Sequence, residues 1–333
     1  MVPLLVVKAI VCDQPGDESV MRIGEVPAPD MGPSQLRLRV AAAGVNRADL
    51  LQRQGLYPAP PGASPVLGLE CAGEVVGIGS EVGGGWKPGD RAMALLPGGG
   101  YAEEAVVCAG CALRVPERLS LVEAAALPEV LLTVFRNVFM LGALPEDGSV
   151  LVHGGGSGIG TATIQLVKAV GGRCLVTAGS EQKCQRCLEL GADLALNYRS
   201  GDFAAAVREA TGGRGVSLVL DSIGAPYLES NLKCLAPDGR LVLIGLMGGA
   251  RAEINLGMLL SRRLQVIGST LRALPDPEKV RIVSGFSARF GARLESGAIR
   301  PVVDRVLPLE RAAEAHRAMK ASEHFGKIVL QVA

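Results

Sequence analysis

A glycine-rich turn in the middle of the 333-residue chain has the composition of a nucleotide-binding site. An apolar strand pattern at Ser149–His153 runs into Gly-Gly-Gly-Ser-Gly-Ile-Gly at 154–160, and a helical pattern follows from about Gly158. Glycines there let the backbone approach a pyrophosphate, which the free N–H groups of the helix N-terminus bind. The strict Gly-x-Gly-x-x-Gly spacing is not met, because Ile159 stands where a third glycine would follow. A tight turn without a ligand is therefore the alternative.

The next strand of this region ends in Val-Thr-Ala-Gly-Ser at 176–180. An acidic side chain at this strand end would bind the adenine ribose of NADH and repel the 2′-phosphate of NADPH. No acid stands there; the hydroxyl of Ser180 and the ammonium of Lys183 follow within a turn, and Tyr198 comes just after the third strand. The pattern favours NADPH, although Glu181 weakens it. A solvated Lys183 on a helix surface is the alternative.

Residues for nucleophilic catalysis are not evident in the sequence. The three histidines lie far apart, and His153, at the end of an apolar strand, is expected to hold local hydrogen bonds rather than to act in catalysis. Eight cysteines are scattered along the chain. The pairs Cys108/Cys111 and Cys184/Cys187 lie too far apart for a structural zinc loop, which draws its ligands from one module. We therefore expect reduced core thiols and no zinc.

Charge and composition restrict the partners. The chain has 34 basic and 33 acidic residues, a net charge of +1, and only 3% aromatic residues. It lacks the positive field that captures nucleic acid or an anionic membrane, and it offers few rings for stacking bases. The apolar N-terminal segment has no basic region or cleavage site, and no stretch approaches about 20 uncharged apolar residues. We expect a cytoplasmic protein that binds small molecules, with no nucleic-acid or membrane partner.

The elements that must position these residues change character near residue 120. Before it, short alternating or β-branched runs separated by Pro-Gly and Gly-Gly pairs predict a mostly β, barrel-like domain. After it, six strand patterns alternate with helical patterns as far as 269, which is typical of a doubly wound parallel sheet. A tail with a helix at 309–321 and a strand at 327–332 should pack on the first domain. The sequence predicts an α/β protein with domains at 1–122 plus 271–333 and at 123–270.

Several motifs of the N-terminal region are together specific. They read Asn46-Arg-Ala-Asp-Leu50, Gln52-Arg-Gln-Gly-Leu-Tyr57, Pro60-Pro-Gly-Ala-Ser64, Gly68-Leu-Glu70 and Leu95-Leu-Pro-Gly-Gly-Gly100. With the glycine turn placed after a β-rich domain, they make the chain resemble, over nearly its whole length, the medium-chain dehydrogenase/reductase superfamily and its zinc-free quinone oxidoreductase branch. The resemblance implies a GroES-like β-rich catalytic domain and a Rossmann NADPH-binding domain. Short-chain reductases do not fit, since no tyrosine has a lysine four residues later.

The resemblance also bears on the metal. In zinc-dependent members a cysteine matches the position of Asn46 and a histidine matches Leu69. An amide and an aliphatic side chain cannot replace a thiolate and an imidazole, and Glu70 alone makes too few ligands. We therefore expect no catalytic zinc.

The activity that the resemblance implies is NADPH-dependent reduction of quinones, with ortho-quinones favoured. A quinone is already electrophilic, so positioning the nicotinamide C4 against its ring supplies much of the catalysis without a metal. In the family, the residues matching Asn46, Asp49 and Tyr57 line the substrate side of the nicotinamide. Tyr57 would donate a hydrogen bond or a proton to the quinone oxygen, Asn46 would hold nicotinamide or substrate, and Asp49 would orient the loop. Alternatively, Asn46 simply starts a helix and Tyr57 packs in a loop.

The resemblance further implies a set of cofactor contacts spread over the chain. They are Asn46, Thr133, Gly154, Ser157, Gly158, Ile159, Gly179, Ser180, Lys183, Tyr198, Ile244, Gly245, Leu246, Met247, Ser269, Thr270, Leu271 and Lys327. Two departures from the family stand out. Relatives often have Asn where this chain has His324, and a Trp seen near Val130 is missing, which indicates an altered substrate entrance.

Two other functions remain open at this point. A zinc-free enoyl thioester reductase would use the same hydride donor and a tyrosine proton donor on a different conjugated acceptor. An NADPH-binding protein with little turnover, serving a regulatory, lens-structural or RNA-binding role, is the other. The resemblance also implies a homodimer formed through the nucleotide-binding domain, with sheet edges pairing between the two copies.

Overall fold

The chain forms two compact units in the computed structural model, which describes residues 5–333. Unit 1 comprises the chain up to Val130 with Leu271–Ser296 and Arg300–Ala333, and unit 2 comprises Leu131–Thr270 with Gly297–Ile299. The sequence predicted the first boundary at 122/123, whereas the two units divide after Val130. Both positions lie within the helical stretch Leu121–Leu141. That boundary remains a prediction.

Unit 1 is built on a seven-stranded sheet and a two-stranded ribbon. The strands are β1 (Val6–Cys12), β2 (Met21–Pro27), β3 (Gln35–Gly44), β4 (Glu70–Ile78), β5 (Arg91–Leu95), β6 (Glu104–Cys108), β7 (Ala112–Arg114), β14 (Val303–Pro308) and β15 (Lys327–Gln331). The sheet runs β14-β15-β3-β4-β5-β7, and β6 also pairs with β3; only β14 and β15 are parallel. Alternation forms the strands: in β3, Leu36, Leu38 and Val40 are buried while their neighbours are not.

The helices of unit 1 lie around this sheet. They are α1 (Arg47–Arg53), α2 (Leu121–Ala124), α9 (Asp276–Ser296) and α10 (Ala312–Ala321), with 3₁₀ turns at Glu18–Val20, Ala109–Cys111 and Leu309–Arg311. The tail contains the expected terminal helix and strand. It also contains α9 and β14, which the sequence analysis did not identify, although Ile282, Phe286, Phe290 and Leu294 mark the buried face of α9 at four-residue spacing.

Unit 2 contains a six-stranded, entirely parallel sheet. Its strands are β8 (Ser149–His153), β9 (Arg173–Ala178), β10 (Leu194–Asn197), β11 (Val216–Asp221), β12 (Leu235–Leu243) and β13 (Gln265–Gly268). Their order is β10-β9-β8-β11-β12-β13, so the chain reverses direction across the sheet between β8 and β11. The helices are α3 (Pro128–Val134, shared with the end of unit 1), α4 (Gly158–Lys168), α5 (Glu181–Glu189), α6 (Phe203–Ala210), α7 (Leu228–Cys234) and α8 (Leu256–Arg262). The predicted α/β fold class is confirmed.

One helical stretch, Leu121–Leu141, is long and apolar enough to cross a membrane by length and composition alone. It was not singled out from the sequence, because Glu123, Glu129 and Arg136 interrupt it. In the structure 72% of its most apolar window is buried inside the protein, and Phe135–Leu141 is π-helical. This is the pattern of a core helix, which passes the same test.

Candidate active site

The glycine turn of unit 2 is held by its own hydrogen bonds. Ser157 caps α4, its Oγ accepting from the Gly160 N–H at 3.0 Å, and the Ser157 N–H donates to the Gly154 carbonyl at 2.8 Å. Gly154 has φ +75°, a conformation that favours glycine. Because the first N–H groups of a helix have no acceptor within it, those of Gly158 and Ile159 are available to a ligand.

The glycines of the turn permit close packing of the strand, the turn and α4. A Cβ on Gly155 would lie 2.7 Å from the Val176 side chain, and a Cβ on Gly160 would collide with the carbonyl oxygens of Gly154 and Gly155. Gly160 therefore brings α4 against the turn, which is the role of the third glycine in the dinucleotide fingerprint. Although the sequence lacks the strict Gly-x-Gly-x-x-Gly spacing, Gly160 thus has the packing role of the third glycine.

The end of β9 brings four predicted residues together. Ser180 caps α5 through the Lys183 N–H at 3.3 Å, and a Cβ on Gly179 would lie 2.8 Å from the Tyr198 hydroxyl. The Glu181 carboxylate, which argued against a phosphate here, accepts a hydrogen bond from the Asn197 amide at 2.8 Å. These residues therefore surround a small polar surface at the carboxyl end of the strand.

Arg199 also lies at this polar surface, although the sequence pattern did not identify it as a site residue. Its guanidinium carbon lies 5.9 Å from the centre of the Tyr198 ring, and its backbone N–H donates to the Asn197 side chain at 3.1 Å. A cation directly after Tyr198 was the available signal. With Lys183, it gives the surface two basic side chains for an anionic group.

The loops expected beside the nicotinamide follow β12 and β13, which are neighbours in the sheet. Ile244 donates to the Asp221 carbonyl at 2.8 Å and Met247 to the Ser222 carbonyl at 3.0 Å; Gly245 and Leu246 lie between them. The Ser269 hydroxyl, next to Thr270, is buried without a hydrogen-bond partner within residues 5–333. An orphaned buried hydroxyl fits a ligand contact at this place.

Thr133 and Leu271 lie at the edges of the two units. Thr133, on α3, is buried, and its carbonyl accepts from the Asn137 amide at 2.8 Å. Leu271 opens the second segment of unit 1, directly before the buried Arg272. Their proposed cofactor contacts remain predictions.

A buried polar chain crosses the core of unit 2 beneath these loops. Asn231 donates through Nδ2 to the Asp221 carboxylate at 3.0 Å, and its Oδ1 lies 2.7 Å from His153 Nε2. His153 Nε2 is therefore the protonated nitrogen, and Nδ1 accepts from the Thr177 hydroxyl at 2.9 Å. Burial lowers the pKa of His153 to about 4, so the ring is neutral. Its contacts are internal, in keeping with the expected positional role.

In unit 1, Asn46 lies against a buried ion pair. Lys327 Nζ lies 2.6 Å from a Glu70 carboxylate oxygen and 2.6 Å from Asn46 Oδ1, and it also donates to the Val45 carbonyl at 2.9 Å. The Asn46 amide N–H donates to the same Glu70 oxygen at 2.9 Å. Glu70 was not predicted as a site residue, since its partner lies 257 positions away in sequence.

Asp49 accepts three hydrogen bonds around the loop that carries Asn46. Its carboxylate accepts from the Asn46 backbone N–H at 2.8 Å, from the Gly68 N–H at 3.2 Å and from the Tyr101 hydroxyl at 3.0 Å. Burial raises the pKa of Asp49 to about 6, against these hydrogen bonds, which lower it. Behind Tyr101, His316 Nε2 lies 3.3 Å from the same hydroxyl.

Tyr57 is half-buried beneath an arginine. The Arg272 guanidinium carbon lies 5.3 Å from the centre of the Tyr57 ring, and Arg272 donates to the Tyr57 carbonyl at 3.2 Å. It also donates to Gln52 Oε1 and to the Pro97 carbonyl, each at 2.7 Å. Burial raises the pKa of Tyr57, so its hydroxyl stays protonated at neutral pH. Arg272, which the sequence did not reveal, thus ties the Tyr57 loop to the C-terminal end of α1.

No group of three or more His, Cys, Asp or Glu side chains in residues 5–333 could hold a metal ion. The eight cysteines are all free, and burial raises the thiol pKa values of Cys111, Cys184 and Cys187. These thiols stay protonated at neutral pH.

Family models match both units. The model described as the alcohol dehydrogenase GroES-like domain matches residues 32–117, and that described as zinc-binding dehydrogenase matches 158–287. Together they cover more than half of the chain.

Relatives that match more than nine-tenths of this chain include an oxidoreductase, a synaptic vesicle membrane protein homolog and a polyketide synthase. Quinone oxidoreductase of Rattus norvegicus is 31% identical over 92% of this chain and 91% of its own length. Synaptic vesicle membrane protein VAT-1 homolog of Homo sapiens is 33% identical over 91% of this chain and 80% of its own. A component of the phenolphthiocerol/phthiocerol polyketide synthase of Mycobacterium tuberculosis is 32% identical over 96% of this chain, which spans only 14% of that protein.

Solved structures share the whole fold. Escherichia coli quinone oxidoreductase complexed with NADPH has a TM-score of 0.87 and 30% identity, covering 98% of this chain and 100% of its own. An NAD-dependent alcohol dehydrogenase has a TM-score of 0.86 and 34% identity, with the same coverage. The matching domains, the fold and the quinone oxidoreductase relatives together show that this chain belongs to the medium-chain dehydrogenase/reductase superfamily.

Proposed function

We propose that the chain is an oxidoreductase that reduces quinones, ortho-quinones among them, with NADPH and without a metal. The observation that carries the cofactor choice is the polar surface at the end of β9. Its acidic side chain, Glu181, accepts a hydrogen bond from Asn197, and Ser180, Lys183 and Arg199 lie beside it. This set suits a 2′-phosphate.

The bound NADPH supplies a hydride from C4 of its nicotinamide ring. The chain's own residues bind and orient. The N-terminus of α4 with Ser157 holds the pyrophosphate, and the β9 surface holds the 2′-phosphate. Tyr57 donates a hydrogen bond to the quinone oxygen that gains electron density, and Arg272 fixes the Tyr57 backbone. Hydride transfer to a quinone would give an aromatic hydroquinone monoanion, which takes its remaining proton from water, so no further acid from the protein is needed.

Discrimination between the two dinucleotides tests the cofactor proposal. Removing the ammonium in Lys183→Ala should weaken NADPH binding by about 10- to 150-fold, since a charge-assisted hydrogen bond contributes roughly 1.5 to 3 kcal/mol. NADH binding should not change. Calorimetric titration of both dinucleotides against wild type and variant measures this. Equal affinities of the wild type for NADPH and NADH would refute the proposal and point to the chemistry of the NAD-dependent neighbour.

A second candidate, an enoyl thioester reductase, is supported by the match to a polyketide synthase over 96% of this chain. A tyrosine is more important there, because a carbon of an unactivated thioester must be protonated. Tyr57→Phe should lower kcat/KM for an ortho-quinone by about tenfold, or ~1.4 kcal/mol, and NADPH affinity should stay constant.

Steady-state NADPH oxidation with an ortho-quinone and a 2-enoyl thioester separates the candidates. Quinone turnover that persists after chelator treatment is the expected result. Good thioester turnover with poor quinone turnover would transfer the assignment to the second candidate. Tight NADPH binding without turnover of either acceptor would leave a cofactor-binding protein.

We also infer a homodimer formed through unit 2 and a cytoplasmic location. The strand β13 is the end of its sheet, with Val266 38% exposed, and Leu256 and Leu260 on α8 are 69% and 82% exposed. An unpaired strand edge beside exposed leucines suits pairing with a second copy. Sedimentation of wild type and Leu260→Glu tests the dimer; a wild-type monomer would exclude it.

The proposed cytoplasmic location is supported by the eight free thiols, which suit a reducing compartment. Cell fractionation tests the location.

A further inference from the structure

Cys108 and Cys111 in unit 1 have no part in the proposed function. Cys108 is the last residue of β6 and the N-cap of the 3₁₀ turn that ends at Cys111. Side chains three residues apart lie on the same side of a 3₁₀ turn, and the rise of such a turn places their Cα atoms roughly 6 Å apart. Disulfides span Cα atoms at this separation. The two cysteines can therefore be joined without movement of the backbone.

The backbone of the turn is fixed on two sides. The Ala109 N–H donates to the Ser34 carbonyl at 3.1 Å. On the other side, Gly110 packs directly against α9, since a Cβ on it would lie 2.7 Å from the Val280 side chain. The two thiols are thus presented by a turn of defined conformation.

The two thiols also interact with each other. Burial raises the pKa of the Cys111 thiol, and the nearby Cys108 and Asp276 raise it further, against a lowering effect of Lys279 on α9. A hydrogen bond between the Cys108 and Cys111 side chains acts in the raising direction as well. Because Cys111 keeps its proton at neutral pH, its S–H is the donor of this hydrogen bond and points to the Cys108 sulfur.

The pair combines an accessible sulfur with a buried one. Cys108 is partly exposed, whereas Cys111 is 2% exposed. A reagent from solvent therefore meets Cys108 first, and Cys111 lies beside it to displace whatever group becomes attached. An accessible thiol next to a second, resolving thiol is the arrangement of a reversible redox site.

Cys184 and Cys187 have the same spacing but lack both properties. They are 4% and 0% exposed, so neither sulfur is open to a bulky reagent. They also lie on the α-helix α5, in which three residues fall short of the full turn of about 3.6 residues, so the two side chains are not aligned. This pair is a control within the same chain.

We propose that Cys108 and Cys111 form a dithiol site that a low-molecular-weight disulfide, with oxidised glutathione as the probe, converts reversibly into an intramolecular disulfide. Cys108 releases its proton to water, and its sulfur attacks one sulfur of oxidised glutathione. The glutathione S–S bond breaks, and the departing thiolate takes up a proton.

The second step closes the ring. The Cys111 sulfur attacks the Cys108 sulfur of the mixed disulfide, that bond breaks, and the Cys111 proton passes to the second glutathione. In total, two protein thiols are oxidised and one glutathione disulfide is reduced to two thiols. Neither step uses NADPH, so the site is independent of the proposed reductase activity. In a reducing compartment such a disulfide is transient.

Peptide mass spectrometry tests the proposal on the folded, full-length chain. The protein is incubated with oxidised glutathione, the remaining thiols are alkylated, and trypsin is added. Trypsin releases Ala92–Arg114, which contains Cys108 and Cys111 and no other cysteine. In the wild type this peptide should lose two hydrogen atoms, and excess reduced glutathione should restore both thiols. Cys184 and Cys187 should remain open to alkylation once the protein is unfolded.

Two variants separate the steps. Cys111→Ala has no resolving thiol, so its Ala92–Arg114 peptide should retain one glutathionyl group on Cys108. Cys108→Ala should leave Cys111 unmodified, because the buried thiol is not reached from solvent. The wild-type measurement decides the proposal even if Cys111→Ala does not fold, since it needs no substitution.

Four results would overturn the proposal. An unmodified Ala92–Arg114 peptide in the wild type would show that Cys108 does not react. A stable glutathione adduct on wild-type Cys108 would show that Cys111 does not resolve it. A disulfide that excess reduced glutathione leaves intact would be structural rather than reversible. Equal oxidation of Cys184 and Cys187 would show that neither the turn geometry nor the exposure selects the first pair.

Discussion

His153 in unit 2 and His316 in unit 1 are neutral histidines in buried hydrogen-bond networks, and the two networks differ in the group that contacts Nδ1. In unit 2, His153 Nδ1 accepts from the neutral hydroxyl of Thr177. In unit 1, Nδ1 of His316 lies 3.1 Å from the Arg53 guanidinium, which can only donate. Burial lowers the pKa of both rings, to about 4 for His153 and about 3 for His316, where the charge of Arg53 adds to the effect.

The difference shows how a buried cation alters the role of a neutral ring. Because His316 Nδ1 accepts from Arg53, its Nε2–H donates to the Tyr101 hydroxyl. That hydroxyl donates to Asp49, so the network ends on the loop that carries Asn46. The His153 network ends on Asp221, which accepts from the N–H groups of Ile223 and Gly224. Both therefore support candidate site loops, but the first contains a buried cation, Arg53, and the second does not.

Removing the cation should have the largest effect. Arg53 has no exposed side-chain surface, and its guanidinium also lies 3.9 Å from the Glu18 carboxylate and donates to the Gly16 carbonyl. Arg53→Met should reduce the free energy of unfolding by about 3 kcal/mol or more, because it leaves buried partners unpaired. Urea denaturation measures it. Arg53→Lys, which keeps the charge without the planar fork, should lose less; equal losses would show that the fork matters more than the charge.

Acid should affect these buried groups in opposite ways, because folding lowers the pKa values of the two histidines and raises the pKa of Asp49. Both histidines titrate near 6.5 when unfolded and lower when folded, so the stability they provide is complete above pH 6.5 and is lost as pH falls toward their folded pKa values. The pKa of Asp49 is raised from 3.8 to about 6, so its contribution is present below pH 3.8 and is lost as pH rises through 6. Asp49 thus offsets one histidine between about pH 4 and 6.

Asp49→Asn removes that offset. Over this window the free energy of unfolding of the variant should rise with pH more steeply than that of the wild type, by about 1.4 kcal/mol per pH unit, the value for one proton. Denaturation series at several pH values in both proteins give the two slopes. Parallel slopes would contradict a raised pKa for Asp49.

Thr177→Val should have the smallest effect. It removes one neutral donor from His153 Nδ1 and preserves shape, so the expected cost is about 1 to 2 kcal/mol, the penalty for an unsatisfied buried acceptor. Urea denaturation beside Arg53→Met compares the two Nδ1 partners directly. A cost equal to that of Arg53→Met would mean that charge does not distinguish the networks.

Local pattern was sufficient for the strands and for the glycine turn, because alternation and turn residues act over a few positions. The same kind of pattern was present in α9, but its buried residues are separated by arginines and glycines and went unnoticed. The partners of the predicted site residues could not be found in this way. Glu70 and Lys327 are 257 positions apart, and Gln52 and Arg272 are 220 apart, so only tertiary pairing brings them together.

The cofactor contacts illustrate the same limit. Gly179, Ser180 and Lys183 are close in sequence, and the structure places them together with Tyr198. Lys327 was assigned to the cofactor by resemblance alone, whereas its hydrogen bonds are all made within unit 1. Which group a side chain finally contacts depends on competing acceptors, and the sequence does not show them.

The pairing of β15 with β3 has a consequence for how the protein is made. Val329 lies opposite Gly44, so unit 1 joins one strand that is synthesised before unit 2 and one that is synthesised after it. Unit 2 is nearly continuous and can fold as it leaves the ribosome, whereas the nascent unit 1 must keep β3 without its last partner until β15 emerges. During that interval the lysine that balances Glu70 does not yet exist, and a ribosome stalled before residue 327 would hold a chain with a permanently uncompensated carboxylate.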